Sequence, residues 1–227
     1  MKLIRHIAPV SAASLAAFAI TPVVSAALFD FAPGATGYPF NPVGNVNTGV
    51  GNFNQTVDGM TLTASASGGN ISANNQSVGT GIVGIGVVGN GGTAINASGG
   101  ESITVTFDTD VLLEQIVLDG HANPDSAGVT LPGTGLFSVI GANTVNGNPP
   151  AGVTFLSLNG GDQTVDDTIT FGTPVQIDAG ETVVFNNVGG GGYFIRSITV
   201  AAVPEPGSLA LLGLGVAAVA VRRSRRA

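Results

Sequence analysis

Ser102-Ile103-Thr104-Val105-Thr106-Phe107 alternates apolar and hydroxyl side chains at every step. A period of two places Ile103, Val105 and Phe107 on one face of a strand and Thr104 and Thr106 on the other. The same rhythm recurs on both sides of it. Upstream lie Leu28–Phe31 and the Met-Thr-Leu-Thr-Ala run of Met60–Ala66. Downstream lie Val111–Leu118, Leu136–Ile140, Val153–Leu158, Thr168–Phe171, Thr182–Phe185 and Tyr193–Val200. Asp108-Thr109-Asp110 supplies a tight turn between two of these runs. Ala32–Asp58 is rich in Gly, Asn and Pro and is expected to be a long loop with one edge strand. No stretch between Leu28 and Ala202 shows helical periodicity. The pattern predicts an all-β fold, an antiparallel jelly-roll-like sandwich of two sheets. The 35 glycines and 12 prolines, about a fifth of the chain, fit turn-rich β structure and fall below the level of a structureless chain.

The two ends differ from this middle. Met1–Ala26 carries Lys2 and Arg5, then an apolar stretch, then Val24-Ser25-Ala26 with small residues where signal peptidase reads. It is expected to be a secretory signal peptide, cleaved after Ala26 or Ala27. The alternative is an uncleaved N-terminal anchor. At the other end, Pro204-Glu205-Pro206 precedes an uncharged run, Ser208–Val221, and then Arg222, Arg223, Arg225 and Arg226. As a helix this run spans roughly 21 Å at 1.5 Å per residue. A bilayer core is about 30 Å thick, but arginine stems can snorkel to the headgroups and extend the reach. The expectation is a short C-terminal transmembrane helix with its basic flank on the cytoplasmic side. The alternative is a short buried helix with a solvated basic end. Residues 27–202 then form one exported domain, between the signal peptide at 1–26 and the sorting segment at 203–227.

Charge divides along the same boundaries. Of 14 acidic residues, all but Glu205 lie in residues 27–202. Of seven basic residues, only Arg196 does. Thirteen acids against one base give this segment a net charge of −12. Such a surface repels nucleic acid and keeps the protein soluble, and it attracts divalent cations. The chain has no cysteine, so no disulfide supports the fold.

Pro204-Glu205-Pro206, the apolar run and the arginine cluster, in that order, resemble the PEP-CTERM sorting signal. The resemblance implies an exosortase substrate. Exosortase is a membrane-embedded, cysteine-transpeptidase-like enzyme of Gram-negative bacteria that make exopolysaccharide. It implies export through the inner membrane, cleavage near the triplet, and release or attachment at the cell surface. The run from Gly84 through Thr104 to Ile116, with the final Phe194-Ile195-Arg196-Ser197-Ile198-Thr199-Val200 strand, also resembles the β-sandwich ectodomains of PEP-CTERM proteins.

Chemistry-bearing candidates are few. Gly79-Thr80-Gly81-Ile82-Val83-Gly84 and Gly84-Ile85-Gly86-Val87-Val88-Gly89 both fit G-x-G-x-x-G. A dinucleotide site needs a helix to open after the glycines, and Gly and Asn continue through Gly92 instead. A Gly-rich turn, or a strand crowded by a neighbouring backbone, is the expectation. His121 is the one histidine outside the signal peptide and is expected to be a loop residue. A Ser-His-Asp arrangement would have to use it, and no G-x-S-x-G elbow occurs. Asp162, Asp166 and Asp167 sit in an oxygen-rich loop that could hold calcium, although solvated turn residues are the simpler reading. No other cofactor is indicated. A stacking-type sugar platform favours Trp and Tyr, and the chain has no Trp and only Tyr38 and Tyr193. Three functions stay open: a non-catalytic surface or matrix protein associated with exopolysaccharide, a calcium- or glycan-binding module, and a secreted glycan hydrolase.

Overall fold

A computed structural model describes residues 25–32, 46–75, 83–89, 93–97, 99–141, 143–157 and 166–203. The signal peptide core, the sorting triplet Pro204–Pro206, the apolar run, the arginine tail and Asp162 lie outside the described residues. The described residues form sixteen strands: β1 (Ala26–Asp30), β2 (Val46–Val50), β3 (Asn52–Val57), β4 (Met60–Ser67), β5 (Asn70–Asn75), β6 (Val83–Val88), β7 (Ile95–Asn96), β8 (Ser102–Phe107), β9 (Val111–Asp119), β10 (Ser126–Leu131), β11 (Gly135–Ile140), β12 (Thr144–Gly147), β13 (Val153–Leu156), β14 (Asp167–Ile177), β15 (Thr182–Gly189) and β16 (Gly192–Ala202). Among the described residues there is no helix.

The strands form an antiparallel two-sheet sandwich. One sheet runs β13-β14-β9-β16-β6-β5-β2, with β1 and β7 also paired to β16. The other runs β12-β11-β10-β15-β8-β4-β3. Consecutive strands β8 and β9 fall in different sheets, and so do β15 and β16. Yet β8 pairs with β15 and β9 with β16. That rolled connectivity is jelly-roll-like.

The alternation in β8 does what its period requires. Ile103, Val105 and Phe107 are buried, and Thr104 and Thr106 are half-buried on the other face. Phe107 meets Phe29 of β1 edge to face at 5.8 Å, and Phe137 meets Phe171 at 6.4 Å. Both pairs cross between the sheets. The long loop expected over Ala32–Asp58 contains two strands, β2 and β3, rather than one. β3 pairs residue for residue with β4, so Asn52, Asn54 and Thr56 face outward while Phe53 and Gln55 turn in.

Residues 79–82 of the glycine run lie outside the described residues, and its remainder is a strand crowded by its neighbours. Val83–Val88 forms β6, and a Cβ on Gly84 would lie 2.6 Å from the Ile195 carbonyl oxygen. A Cβ on Gly86 would lie 2.2 Å from the Thr93 carbonyl oxygen. Gly86→Ala should therefore cost about 1–3 kcal/mol through overpacking. Gly51→Ala, where a Cβ meets nothing within 4 Å, should leave stability within about 0.5 kcal/mol. Urea denaturation of the two variants checks the pair, and equal losses would contradict the crowding argument.

Candidate functional site

β9 ends at Asp119, and Gly120, at φ 67°, turns the chain so that His121 points back between the sheets. His121 is 1% exposed. Its Nδ1–H donates to Asp167 Oδ2 at 2.7 Å, and the ring lies edge to face on Phe155 at 5.7 Å and Tyr193 at 6.2 Å. With Nδ1 turned to the carboxylate, Nε2 is the ring's remaining polar atom. Nε2 has no hydrogen-bond partner among the described residues. Ser157, just beyond β13, donates its N–H to Asn143 Oδ1 at 2.5 Å, and its Oγ also lacks a partner among the described residues. His121 thus lies just past a strand end, as expected of a loop residue, but it is buried and paired. The pair has the Asp-to-Nδ1 orientation of a hydrolytic triad, while no hydroxyl hydrogen-bonds Nε2.

The next turn is tied down by a carboxylate. Asp125 Oδ2 accepts the Ala122 N–H at 3.1 Å, and Oδ1 accepts the Gly191 N–H. The β9–β10 loop is thereby fastened to the β15–β16 turn.

A second polar group gathers where β16 bulges. Ile195 pairs with Leu118 and Ser197 with Val117, so Arg196 is the extra residue. Its Nη1 donates to Asp30 Oδ1 at 2.7 Å, and that oxygen also accepts the Ala32 N–H at 2.9 Å. Buried Asp119 accepts the Val83 N–H through Oδ2 and the Gly120 N–H through Oδ1, both at 2.6 Å. Desolvation pushes its carboxyl up to about 6. The Val83 N–H pulls it back, and the negative charge of Asp166 adds to the rise. Asp166 is also raised, first by desolvation, against the lowering pull of Arg196.

Of the three aspartates expected to share one loop, Asp162 lies outside the described residues and the other two are divided. Asp166 is exposed beside Arg196, whereas Asp167 opens β14 and is buried on His121. Neighbours along an extended chain face opposite ways, so these two carboxylates do not converge. Among the described residues no group of three His, Asp or Glu side chains is arranged to hold a metal. The sequence did not single out Asp119, Asp125 or the Asp30–Arg196 pair, because their partners lie far away along the chain.

A shallow groove of about 340 Å³ crosses the outer face of the first sheet. It forms where β14 bulges between Thr170 and Val175, and Glu114, Gln115, Thr170, Pro174 and Thr199 line it. Its one aromatic, Phe171, is 3% exposed and turned into the core. The groove therefore offers hydrogen-bonding groups and no stacking platform.

β16 ends at Ala202, and a protein-family profile described as the PEP-CTERM protein-sorting motif matches residues 202–226. The chain carries a PEP-CTERM sorting motif. The PEP-CTERM motif marks an exported protein, sorted to the cell surface by exosortase. Among solved structures, the chain is similar to the family 32 carbohydrate-binding module of C. perfringens NanJ, solved in complex with galactose. The match has 14% identity and a TM-score of 0.30, over 62% of this chain and 92% of that one. No curated protein sequence matches the chain.

Two outcomes follow from the polar end. His121→Phe leaves Asp167 buried without its donor and should cost about 3–5 kcal/mol. Adding Asp167→Leu should recover part of that loss, and a double-mutant cycle by chemical denaturation measures it. A non-recovering double variant would show that the pair is not coupled. Asp119 carries a pH signature. Its folded value of about 6 exceeds the ordinary 3.8, so the folded state holds this proton more tightly. Stability should fall as pH rises from about 4 past 6. Asp119→Asn should flatten that slope in denaturation curves taken across the window.

Proposed function

We propose that this is a non-catalytic surface or extracellular-matrix protein, exported behind its N-terminal signal and associated with exopolysaccharide. The observation that carries this reading is the junction between fold and signal. The last strand ends at Ala202, where the sorting motif begins, and the Val203 N–H donates to the Asp110 carbonyl oxygen at 3.2 Å. The sandwich is thus the cargo of the motif, with almost no linker. Before processing, the arginine tail lies on the cytoplasmic side and the sandwich on the other. Signal peptidase cleavage after Ala26 leaves Ala27 in its pairing with Val200, so β1 survives maturation.

The described surface supports a hydrogen-bonding or cation-bridged association with polysaccharide rather than aromatic stacking. Tyr193 is fully buried, and the large exposed apolar side chains are all aliphatic: Leu28, Val50, Leu136, Leu156 and Val188. A charge of −12 on residues 27–202 favours neutral glycans, or acidic ones bridged by a divalent cation.

Intact mass and terminal peptide mapping of the protein from its producing cells test the reading. The expected chain begins at Ala27 or Leu28 and ends near Pro204-Glu205-Pro206, without the arginine tail. A surface chain that still carried Arg225-Arg226 would overturn processing and make the tail a permanent anchor.

A further inference from the structure

Away from the polar end, one buried carboxylate lacks a neutralising partner. Glu101, just ahead of β8, is 1% exposed. Its Oε2 accepts the Asn96 N–H at 2.9 Å. Its Oε1 is buried and has no hydrogen-bond partner among the described residues. A buried carboxylate oxygen left in this way is costly unless it is neutralised. The domain cannot supply the charge itself. Its single basic side chain, Arg196, is engaged by Asp30 at 2.7 Å, and His121 is engaged by Asp167.

The surroundings of Oε1 are glycine backbone from three separate segments. A Cβ on Gly89 would stand 2.1 Å from Oε1 and 2.8 Å from the Gly68 carbonyl oxygen. A Cβ on Gly99 would stand 2.9 Å from Oε1, and one on Gly68 would stand 3.2 Å from the Gly99 carbonyl oxygen. A side chain at Gly89 or Gly99 would collide with Oε1, and one at Gly68 would crowd the Glu101 stem. Their absence lets the backbone of these segments, the Gly68 carbonyl oxygen included, pack against the Glu101 side chain. Carboxylate and backbone carbonyl oxygens are the donor set of calcium, which accepts irregular geometry and completes its shell with water. Magnesium demands near-octahedral geometry and dehydrates reluctantly, so it suits this cradle less well.

We propose that Glu101 Oε1, together with the carbonyl oxygens of Gly68 and Gly99, binds a calcium ion. The site is separate from Asp162, Asp166 and Asp167 and independent of the sorting reading. Its position gives it a structural consequence. Gly68 turns β4 of one sheet into β5 of the other, Gly89 follows β6, and Glu101 leads into β8. One ion therefore clamps the two sheets in a chain that has no disulfide.

The test uses protein purified from its producing cells, stripped with EDTA and titrated with calcium. Calorimetry should show one calcium ion per chain. At calcium about a hundredfold above Kd, Tm should rise by roughly 5–10 °C. Magnesium at the same concentration should give a much smaller rise. Glu101→Gln should abolish both uptake and rise, whereas Asp162→Asn with Asp166→Asn should retain them. Hydrogen exchange on the wild-type chain covers the case in which Glu101→Gln does not fold. Calcium should then slow exchange around Gly68, Gly89 and Asn96–Glu101. No uptake by the wild type would overturn the site, as would undiminished uptake by Glu101→Gln or protection confined to other segments.

Discussion

Both hydrogen-bonding edges of β16 must be satisfied, and much of the molecule is arranged to do this. β9 covers one edge from Phe194 to Ala202. The other edge is shared end to end by β1 along Ser197–Ala201, by β6 at Ile195, and by β7 at Gly192–Tyr193. A strand in which most side chains are buried cannot leave backbone groups unpaired at the centre of a sheet. Four partners from across the chain therefore converge on it, and the first and last strands are joined. Where β1 gives way to β6, the bulge at Arg196 absorbs the change of register. There Arg196 and Asp30 are set side by side.

That bulge also locates the domain's single positive charge. With 13 acids and one base in residues 27–202, most carboxylates must be solvated or must accept N–H groups. Asp108, Asp110 and Asp178 do both at exposed turns. Asp108 Oδ1 accepts the Thr61 N–H and Asp110 Oδ1 accepts the Ala179 N–H, each stitching its turn to another segment. Asp119 and Asp125 take the second route under cover. Burial then raises the Asp119 carboxyl, because two N–H donors do not replace a full shell of water.

The period-two strands were legible, because one face of each is buried and the other is not. β4, β8 and β11 come directly from their alternation. β5, Asn70-Ile71-Ser72-Ala73-Asn74-Asn75, was not, since asparagine is depleted in strands and local preference argues against one. Pairing with β6 from Asn70 to Asn75 overrides that preference. β10 escaped because Ser126-Ala127-Gly128-Val129 is buried throughout and shows no polar alternation. The polar site was less legible still. His121 and Asp167 are 46 residues apart, and no local pattern joins them. Asp166 and Asp167 suggested a shared ligand because they are adjacent, and adjacency in an extended chain separates side chains. The glycines around Glu101 lie in three segments, so their convergence belongs to the topology alone.

The end of β16 also marks where the domain hands over to the sorting motif. Val203 is held by Asp110, and the proposed membrane run begins at Ser208, only a few residues further on. Pro204 and Pro206 lack N–H donors, so the sequence beyond Val203 cannot continue the β16 ladder as an unbroken run.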